Sequence, residues 1–351
     1  MALLQIAAAL GGVAAADVLL AKIFGRLYAS DRKPDAVHYT QTEDGWTIGL
    51  SEYRVPAGVK AKRPVICCHG LAGNHHSYDL TARTSLARFL AAAGYPTFVL
   101  DLRGAGYSEK GGLAYQKPLK WRLSDHYSKD APAAVQRVLE LTGAKKVHWI
   151  GHSMGGMVAY AFLQGPLAAK IERVAILASP ANFEFLRPAD KFRFFLRAIP
   201  GLPSRTFTQS AAPLFEVWKW VQTVSGNIDM LPGHYALSGA NCQDQTPSRL
   251  LYDFTEFIRV GSFVGDDGRD LLDGLKDVRT PMLFMCGEAD QTAQYGSVEA
   301  AFDACGSPKK EFVLLGKSQG HKSEYGHMTI LLGEHVYDEV FPRITSWLAS
   351  T

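Results

Sequence analysis

The run Gly151-His152-Ser153-Met154-Gly155 follows the apolar segment Lys146-Val147-His148-Trp149-Ile150 and precedes an Ala-rich stretch, Met157 to Leu163. The pattern reads as a strand, a very tight turn carrying a serine, and a helix beginning near Gly156. Such a turn strains the serine backbone, and a side chain at either flanking glycine would clash with the adjoining strand and helix. The serine hydroxyl is then held out at the edge of a sheet, where a base and a carbonyl carbon can both reach it. Few folds place a strand, a sharp turn and a helix in that register, so this run constrains the architecture more than any other.

The rest of the chain supplies the sheet. Ala36 to Glu43 and Trp46 to Arg54 alternate around Asp44-Gly45, which signals a hairpin. Pro64 to Cys68, Pro96 to Asp101, Val147 to Ile150, Val174 to Ala178, Met282 to Cys286 and Phe312 to Leu315 are short apolar runs without alternation. Strands buried on both faces of a parallel sheet look like this. Helical stretches separate several of them: Ser85 to Ala93, Lys129 to Thr142, Met157 to Leu163 and Ser297 to Cys305. A final helix is expected from about Met328 to Leu348. Strands alternating with helices predict right-handed crossovers and a helix-covered sheet.

The alternation fails between Ala181 and about Gly265. That interval is rich in Phe, holds Trp218 and Trp220, and is punctuated by Pro188, Pro200, Pro203, Pro213, Pro232 and Pro247. It is expected to form a mainly helical cap over the C-terminal edge of the sheet, with a minority of its aromatic side chains lining an apolar pocket.

With 47% apolar and 20% charged residues, 351 residues can bury a sizeable core. A net charge of +3 with no basic run offers nothing to a nucleic acid. The five cysteines show no C-x-x-C pair and no metal-ligand spacing, and are read as buried free thiols. From Ala2 to Ala21 the chain is apolar except for Gln5 and Asp17, about the length that spans a bilayer. Lys22, Arg26, Arg32 and Lys33 follow it, which by charge asymmetry places the remainder of the chain in the cytoplasm. The segment is open to three readings: a membrane anchor or interfacial helix, an ordinary packed helix, or a signal peptide with Ala14-Ala15-Ala16 near its cleavage site.

A serine hydroxyl is a poor nucleophile until a base takes its proton and a third group orients that base. Downstream of Ser153, the strand Met282 to Cys286 runs into Gly287-Glu288-Ala289-Asp290. Asp290 is the expected orienting carboxylate and Glu288 its rival. The loop after Phe312 to Leu315 holds His321 and His327. His327, preceded by Gly326 and next to the last helix, is the expected base, with His321 as runner-up; His335 should face away. The backbone N–H of Met154 and that of Leu71, in His69-Gly70-Leu71-Ala72-Gly73-Asn74, are the expected oxyanion donors. His69 is expected to brace its loop. His75-His76 lacks the partners of a metal site. Asp101-Leu102-Arg103-Gly104-Ala105-Gly106 is read as a structural turn, because it lacks both glycine-rich phosphate-binding patterns.

These residues together resemble the α/β-hydrolase superfamily, and within it the acid lipase and esterase branch. Thr42-Glu43-Asp44-Gly45-Trp46, His69-Gly70-Leu71, Ser85 to Tyr95 and Ser124 to Ala133 echo that branch in order. Polyester synthases of similar layout carry cysteine at the nucleophile, and dehalogenase and epoxide-hydrolase relatives carry aspartate; Ser153 departs from both. Met154-Gly155-Gly156 departs from the lipase branch itself. The resemblance implies an α/β-hydrolase fold: a mostly parallel central sheet flanked by helices, with a mainly helical cap. Residues 1–30 would be the N-terminal helix, 31–180 and 266–351 the core, and 181–265 the cap. It implies a triad of Ser153, Asp290 and His327, oxyanion donors at Leu71 and Met154, no cofactor and no metal. The expected activity is serine carboxylic-ester hydrolysis on a small-molecule or lipid ester with an apolar acyl part, in a protein held at the cytoplasmic face of a membrane by its N-terminal helix. Soluble cytoplasmic and exported forms are the alternatives. The same triad would serve a thioesterase, lactonase or amidase, and a binding protein without turnover is the reading from another class.

Overall fold

The short apolar runs pair into an eight-stranded sheet in the computed structural model, which describes residues 2–112, 117–183, 201–217 and 229–350. The strands are β1 (Ala36–Gln41), β2 (Thr47–Tyr53), β3 (Val65–Cys68), β4 (Thr97–Asp101), β5 (Val147–His152), β6 (Ile171–Leu177), β7 (Met282–Gly287) and β8 (Lys310–Leu315). They lie in the order β1-β2-β4-β3-β5-β6-β7-β8. The β1–β2 hairpin and the β2–β4 pair are antiparallel, and every pairing from β4 to β8 is parallel. Every residue of β3, β4, β5 and β7 is buried, which explains why these strands show no alternation in sequence.

Among the described residues the α-helices of four residues or more are α1 (Ala2–Leu27), α2 (Leu86–Ala92), α3 (Ala131–Thr142), α4 (Met154–Phe162), α5 (Ser204–Ser210), α6 (Ala212–Val217), α7 (His234–Asn241), α8 (Ser248–Val260), α9 (Tyr295–Ala304), α10 (Thr329–Leu332), α11 (Val336–Glu339) and α12 (Phe341–Ala349). Local chemistry sets several ends. The Ser85 hydroxyl accepts the Arg88 N–H at the start of α2, and Gly143 closes α3 in the left-handed region at φ +66°. Buried Trp and Phe side chains knit helices to sheet: the Trp347 indole on α12 donates to the carbonyl of Val174 on β6. Phe98, Phe284 and Phe341 are fully enclosed, each contributing roughly 1.5–3 kcal/mol by burial.

Two expectations from sequence are corrected. The helix after the elbow begins at Met154, not near Gly156, because Ser153 alone turns the chain and the next residue is already helical. The expected helix from Met328 to Leu348 is three pieces, α10 to α12. Gly333 is extended (ψ 163°) and pairs with Met230, and Pro342 restarts the helix where no N–H donor is needed.

A parallel sheet puts the C-terminal ends of β3, β5, β7 and β8 along one edge, so the loops that follow them meet there. Between β6 and β7 the chain leaves the sheet for α5 to α8 and a two-residue strand pair, Gly201–Leu202 with Thr246–Pro247. Residues 184–200 and 218–228, including Trp218, Trp220, Pro188 and Pro200 of the expected cap, lie outside the described residues. Among the described residues of this interval, Phe257 packs against Phe183 and Phe263 with ring centroids 5.7 and 5.2 Å apart.

The C-terminal half of α1 lies on this same region. The Ser210 hydroxyl donates to Asp17 (2.5 Å), and the Asn241 amide donates to the Tyr28 carbonyl (2.7 Å). Val18, Leu19, Leu20, Ile23 and Leu27 of α1 stay exposed. Among the described residues no helix is long and apolar enough to cross a membrane. All five cysteines are free and buried, and burial pushes the Cys242 thiol up to about 12.

Candidate active site

The elbow between β5 and α4 shows why its glycines are needed. Ser153 sits at φ +52°, ψ −120°, a conformation that side-chain-bearing residues avoid. A Cβ added at Gly155 would fall 2.1 Å from the Cys68 carbonyl oxygen, and one at Gly151 would fall 2.4 Å from the Gly155 oxygen. The Ser153 N–H donates to the Leu177 carbonyl (2.9 Å), which fastens the turn to β6. The strain is therefore held in place by packing on both sides.

The loops after β5, β7 and β8 bring three side chains together. Ser153 Oγ donates to Nε2 of His327 at 2.9 Å, and Nδ1–H of His327 donates to Asp290 Oδ2 at 3.0 Å. The hydrogen-bond network assigns this tautomer, since the carboxylate can only accept. Asp290 is buried, and its other oxygen accepts the N–H groups of Thr292 and Ala293 at 2.7 and 2.8 Å. Its charge is thus satisfied without water, and its orientation is fixed. In this arrangement the imidazole can take the hydroxyl proton and the carboxylate can steady the imidazolium that results.

The rival residues lie elsewhere. Glu288 accepts from the Ser318 hydroxyl and the Gln319 amide on an outer loop. His321 Nδ1 contacts the Gly316 carbonyl at 3.1 Å and stands edge-on to Tyr325. His335 caps α11.

His152, which sequence reasoning passed over, does contribute. Its Nε2–H donates to the backbone carbonyl of His327 (2.8 Å), and the two rings sit 4.9 Å apart. Burial holds it down at about 3, so it stays neutral and adds no charge beside His327. Its place between Gly151 and Ser153 was the available signal, since the elbow aims the residue before the serine toward the neighbouring loops.

The loop after β3 closes the other side. A Cβ at Gly70 would meet Ser153 Cβ at 3.0 Å and its Oγ at 3.4 Å, so Leu71 follows a backbone that abuts the nucleophile. Among the described residues neither Leu71 N–H nor Met154 N–H has a hydrogen-bond acceptor. His69 braces this loop: its Nδ1–H donates to the Gly70 carbonyl (2.8 Å) and its Nε2 accepts the Leu102 N–H (3.2 Å). Burial keeps it below its usual range, hence neutral, as that tautomer requires.

The turn after β4 is built on Asp101. Its carboxylate accepts the N–H and Nδ1–H of His75 (both 2.8 Å) and the N–H of Tyr107 (2.9 Å). Burial opposes charge on His75, but Asp101 outweighs it and raises the imidazole above its ordinary value. No local pattern in the chain announces that Asp101 and His75 pair. Among the described residues no cluster of His, Cys, Asp or Glu is arranged to hold a metal.

The chain's similarities to known proteins follow the same geometry. Residues 63–323 match the model of the alpha/beta hydrolase fold family. Gastric triacylglycerol lipase of Mus musculus is 34% identical over 187 residues, 48% of this chain and 46% of the lipase. Lysosomal acid lipase/cholesteryl ester hydrolase of Macaca fascicularis is 32% identical over 164 residues, 43% of this chain and 41% of that one. The chain thus spans less than half the length of these relatives. Among solved structures, an esterase from Thermogutta terrifontis superposes with a TM-score of 0.58 at 18% identity, covering 89% of this chain and 98% of its own. A membrane phospholipase A, described as a bacterial virulence factor, superposes with a TM-score of 0.55 at 17% identity, covering 99% of this chain and 96% of its own. At such identities the superpositions speak to fold alone. The sheet order, the elbow and a family match across most of its length make this chain a member of the alpha/beta hydrolase fold family.

Proposed function

We propose that the protein is a serine carboxylic-ester hydrolase. The observation that carries this reading is the unbroken relay Ser153–His327–Asp290, with contacts of 2.9 and 3.0 Å. Ser153 Oγ attacks the ester carbonyl carbon as its proton passes to His327 Nε2. The carbonyl electron pair moves to oxygen, and the Leu71 and Met154 N–H groups receive that charge. Collapse expels the alcohol, which takes the proton from His327, and leaves an acyl group on Ser153. Water, deprotonated by the same imidazole, then adds to the acyl carbon; the bond to Ser153 Oγ breaks, Oγ takes the proton back from His327, and the acid leaves. Asp290 keeps Nε2 free to accept the first proton. No step calls for a cofactor.

We read residues 31–180 and 266–351 as the core, 181–265 as the cap and the N-terminal helix as a separate element. We read the acyl group as apolar; the small cavity beside Met154 offers it Leu102, Trp121, Pro247 and Leu250, alongside the polar His69, Arg103, His126 and Asp244. The lipase relatives support an ester of that kind. Hydrolysis of p-nitrophenyl esters should rise in kcat/KM from acetyl to longer acyl chains by about tenfold or more, at about 0.8 kcal/mol per buried methylene. A flat or falling series would remove the apolar-acyl reading.

The N-terminal helix supports a position at the cytoplasmic face of a membrane. Its exposed Val18, Leu19, Leu20, Ile23 and Leu27 sit among Lys22 and Arg26, the composition of an interfacial helix drawn to anionic lipid. The protein should co-sediment with vesicles containing phosphatidylglycerol, and binding should weaken severalfold between about 0.05 and about 0.5 M salt, roughly as expected for surface charges. Failure to sediment with such vesicles at low salt would refute this placement.

A further inference from the structure

We propose that Asn74 and Asp244 are positioning residues for the oxyanion donor at Leu71, clamping the loop after β3 from the cap side; this rests on the serine-hydrolase reading above. A trans peptide holds its C=O and N–H in opposite directions, so whatever fixes the Gly70 carbonyl also aims the Leu71 N–H. That carbonyl accepts from His69 Nδ1–H at 2.8 Å and from the Gly73 N–H at 3.0 Å. The second contact exists only while the chain doubles back between them. It does so through Ala72, a non-glycine residue at φ +57°. Such a conformation costs roughly 1–2 kcal/mol and relaxes unless its surroundings oppose it.

The opposition comes from the turn after α7. The Asp244 N–H donates to the Ala72 carbonyl at 2.6 Å, so the strained residue cannot flip without breaking that bond. Asn74, two residues on, donates from Nδ2 to Asp244 Oδ2 (2.9 Å) and to the Asn241 carbonyl (2.8 Å). Its own Oδ1 accepts the His76 N–H (3.0 Å). Asp244 Oδ2 also accepts the Gly106 N–H at 2.8 Å, and its Oδ1 is paired with Arg205 (3.2 Å) and Lys110 (3.5 Å). Both Asn74 and Asp244 are buried, with 3% and 4% of their surface exposed, where each such bond is strong and its loss leaves an unsatisfied group. Asn74 and Asp244 touch neither Ser153 nor His327; their effect on the reaction runs through the peptide at Leu71. The same turn holds Asn241, whose amide bonds the Tyr28 carbonyl and the Ser30 N–H beyond α1. The clamp is thereby continuous with the N-terminal helix.

The test is Asn74→Ala, assayed with a p-nitrophenyl ester and with a trifluoromethyl ketone. The ketone adds Ser153 Oγ to its carbonyl carbon, sends the proton to His327 and leaves the carbonyl electron pair as an oxyanion facing Leu71 and Met154. Losing one oxyanion donor outright costs about 10²–10³-fold, so a mis-aimed donor should lower kcat by about 10–100-fold with KM within about threefold. The ketone's inhibition constant should rise by the same factor, while an unreactive ether analogue of the ester binds unchanged. Asn74→Ser keeps a hydroxyl beside the His76 N–H but cannot reach Asp244 Oδ2 or the Asn241 carbonyl, and should show the same pattern at about 3–10-fold, which serves if Asn74→Ala fails to fold. A lower melting temperature with kcat and ketone affinity unchanged would make the contact merely structural and overturn the proposal. So would a rise in KM alone. A wild-type protein without Ser153-dependent hydrolysis would overturn both this proposal and the reading beneath it, whereas an active wild type matched by both variants would overturn this proposal only.

Discussion

Ser153→Ala should reduce kcat/KM for a p-nitrophenyl ester by about 10⁴–10⁶-fold, the range seen when the nucleophile of such a relay is removed. The loss follows because no other hydroxyl at the sheet edge lies on His327 Nε2, which Ser153 Oγ alone contacts at 2.9 Å among the described residues. The fold should survive. Alanine occupies the same backbone conformation at about the same strain, and among the described residues the only side-chain bond lost is the one to His327. Melting temperature should therefore stay within a few degrees, since about 1 kcal/mol moves a chain of this size by roughly 2–4 °C. A fluorophosphonate should label the wild-type protein at residue 153 and leave the variant unlabelled. Retention of more than a tenth of the activity, with label still incorporated, would end the serine-nucleophile reading.

Asp290→Asn should lower kcat by about 10³–10⁴-fold with little change in KM. The substitution is nearly isosteric, so packing is kept, but the proton inventory changes. The amide oxygen of the introduced asparagine is drawn to the N–H groups of Thr292 and Ala293, which in the wild type hold Asp290 Oδ1 at 2.7 and 2.8 Å. Its NH2 group then faces His327 Nδ1, and a donor there forces the imidazole proton onto Nε2. An imidazole with Nε2–H cannot accept the Ser153 proton. Glu288→Gln is the matching control: its carboxylate bonds Ser318 and Gln319 on the outer loop, so activity should be unchanged. If Asp290→Asn kept near-normal kcat while Glu288→Gln lost it, the orienting role would belong to Glu288.

The elbow and the strands were legible in the sequence because both are set over short spans. Steric demand at Gly151 and Gly155 is a matter of neighbouring atoms, and double-sided burial writes continuous apolar runs at β3, β4, β5 and β7. Candidates could be placed at strand ends for the same reason, since a parallel sheet gathers those ends on one edge. Where local signals conflict, periodicity misled: the apolar spacing from Met328 to Leu348 suits one helix, yet the pairing of Gly333 with Met230 and the ring of Pro342 divide it into three.

Distance along the chain marks where sequence ceased to speak. Ser153 and His327 are 174 residues apart, Asn74 and Asp244 170, and no local pattern records either pairing. Short-range sterics and burial are written into neighbouring residues, and they settle which segments form strands and where the chain must turn sharply. Three other choices were made by the packed molecule: Asp290 rather than Glu288 faces His327, His152 supports the His327 backbone, and the turn after α7 grips Ala72. They depend on how separate loops meet at a shared edge, where tenths of an ångström and single hydrogen bonds select one neighbour over another.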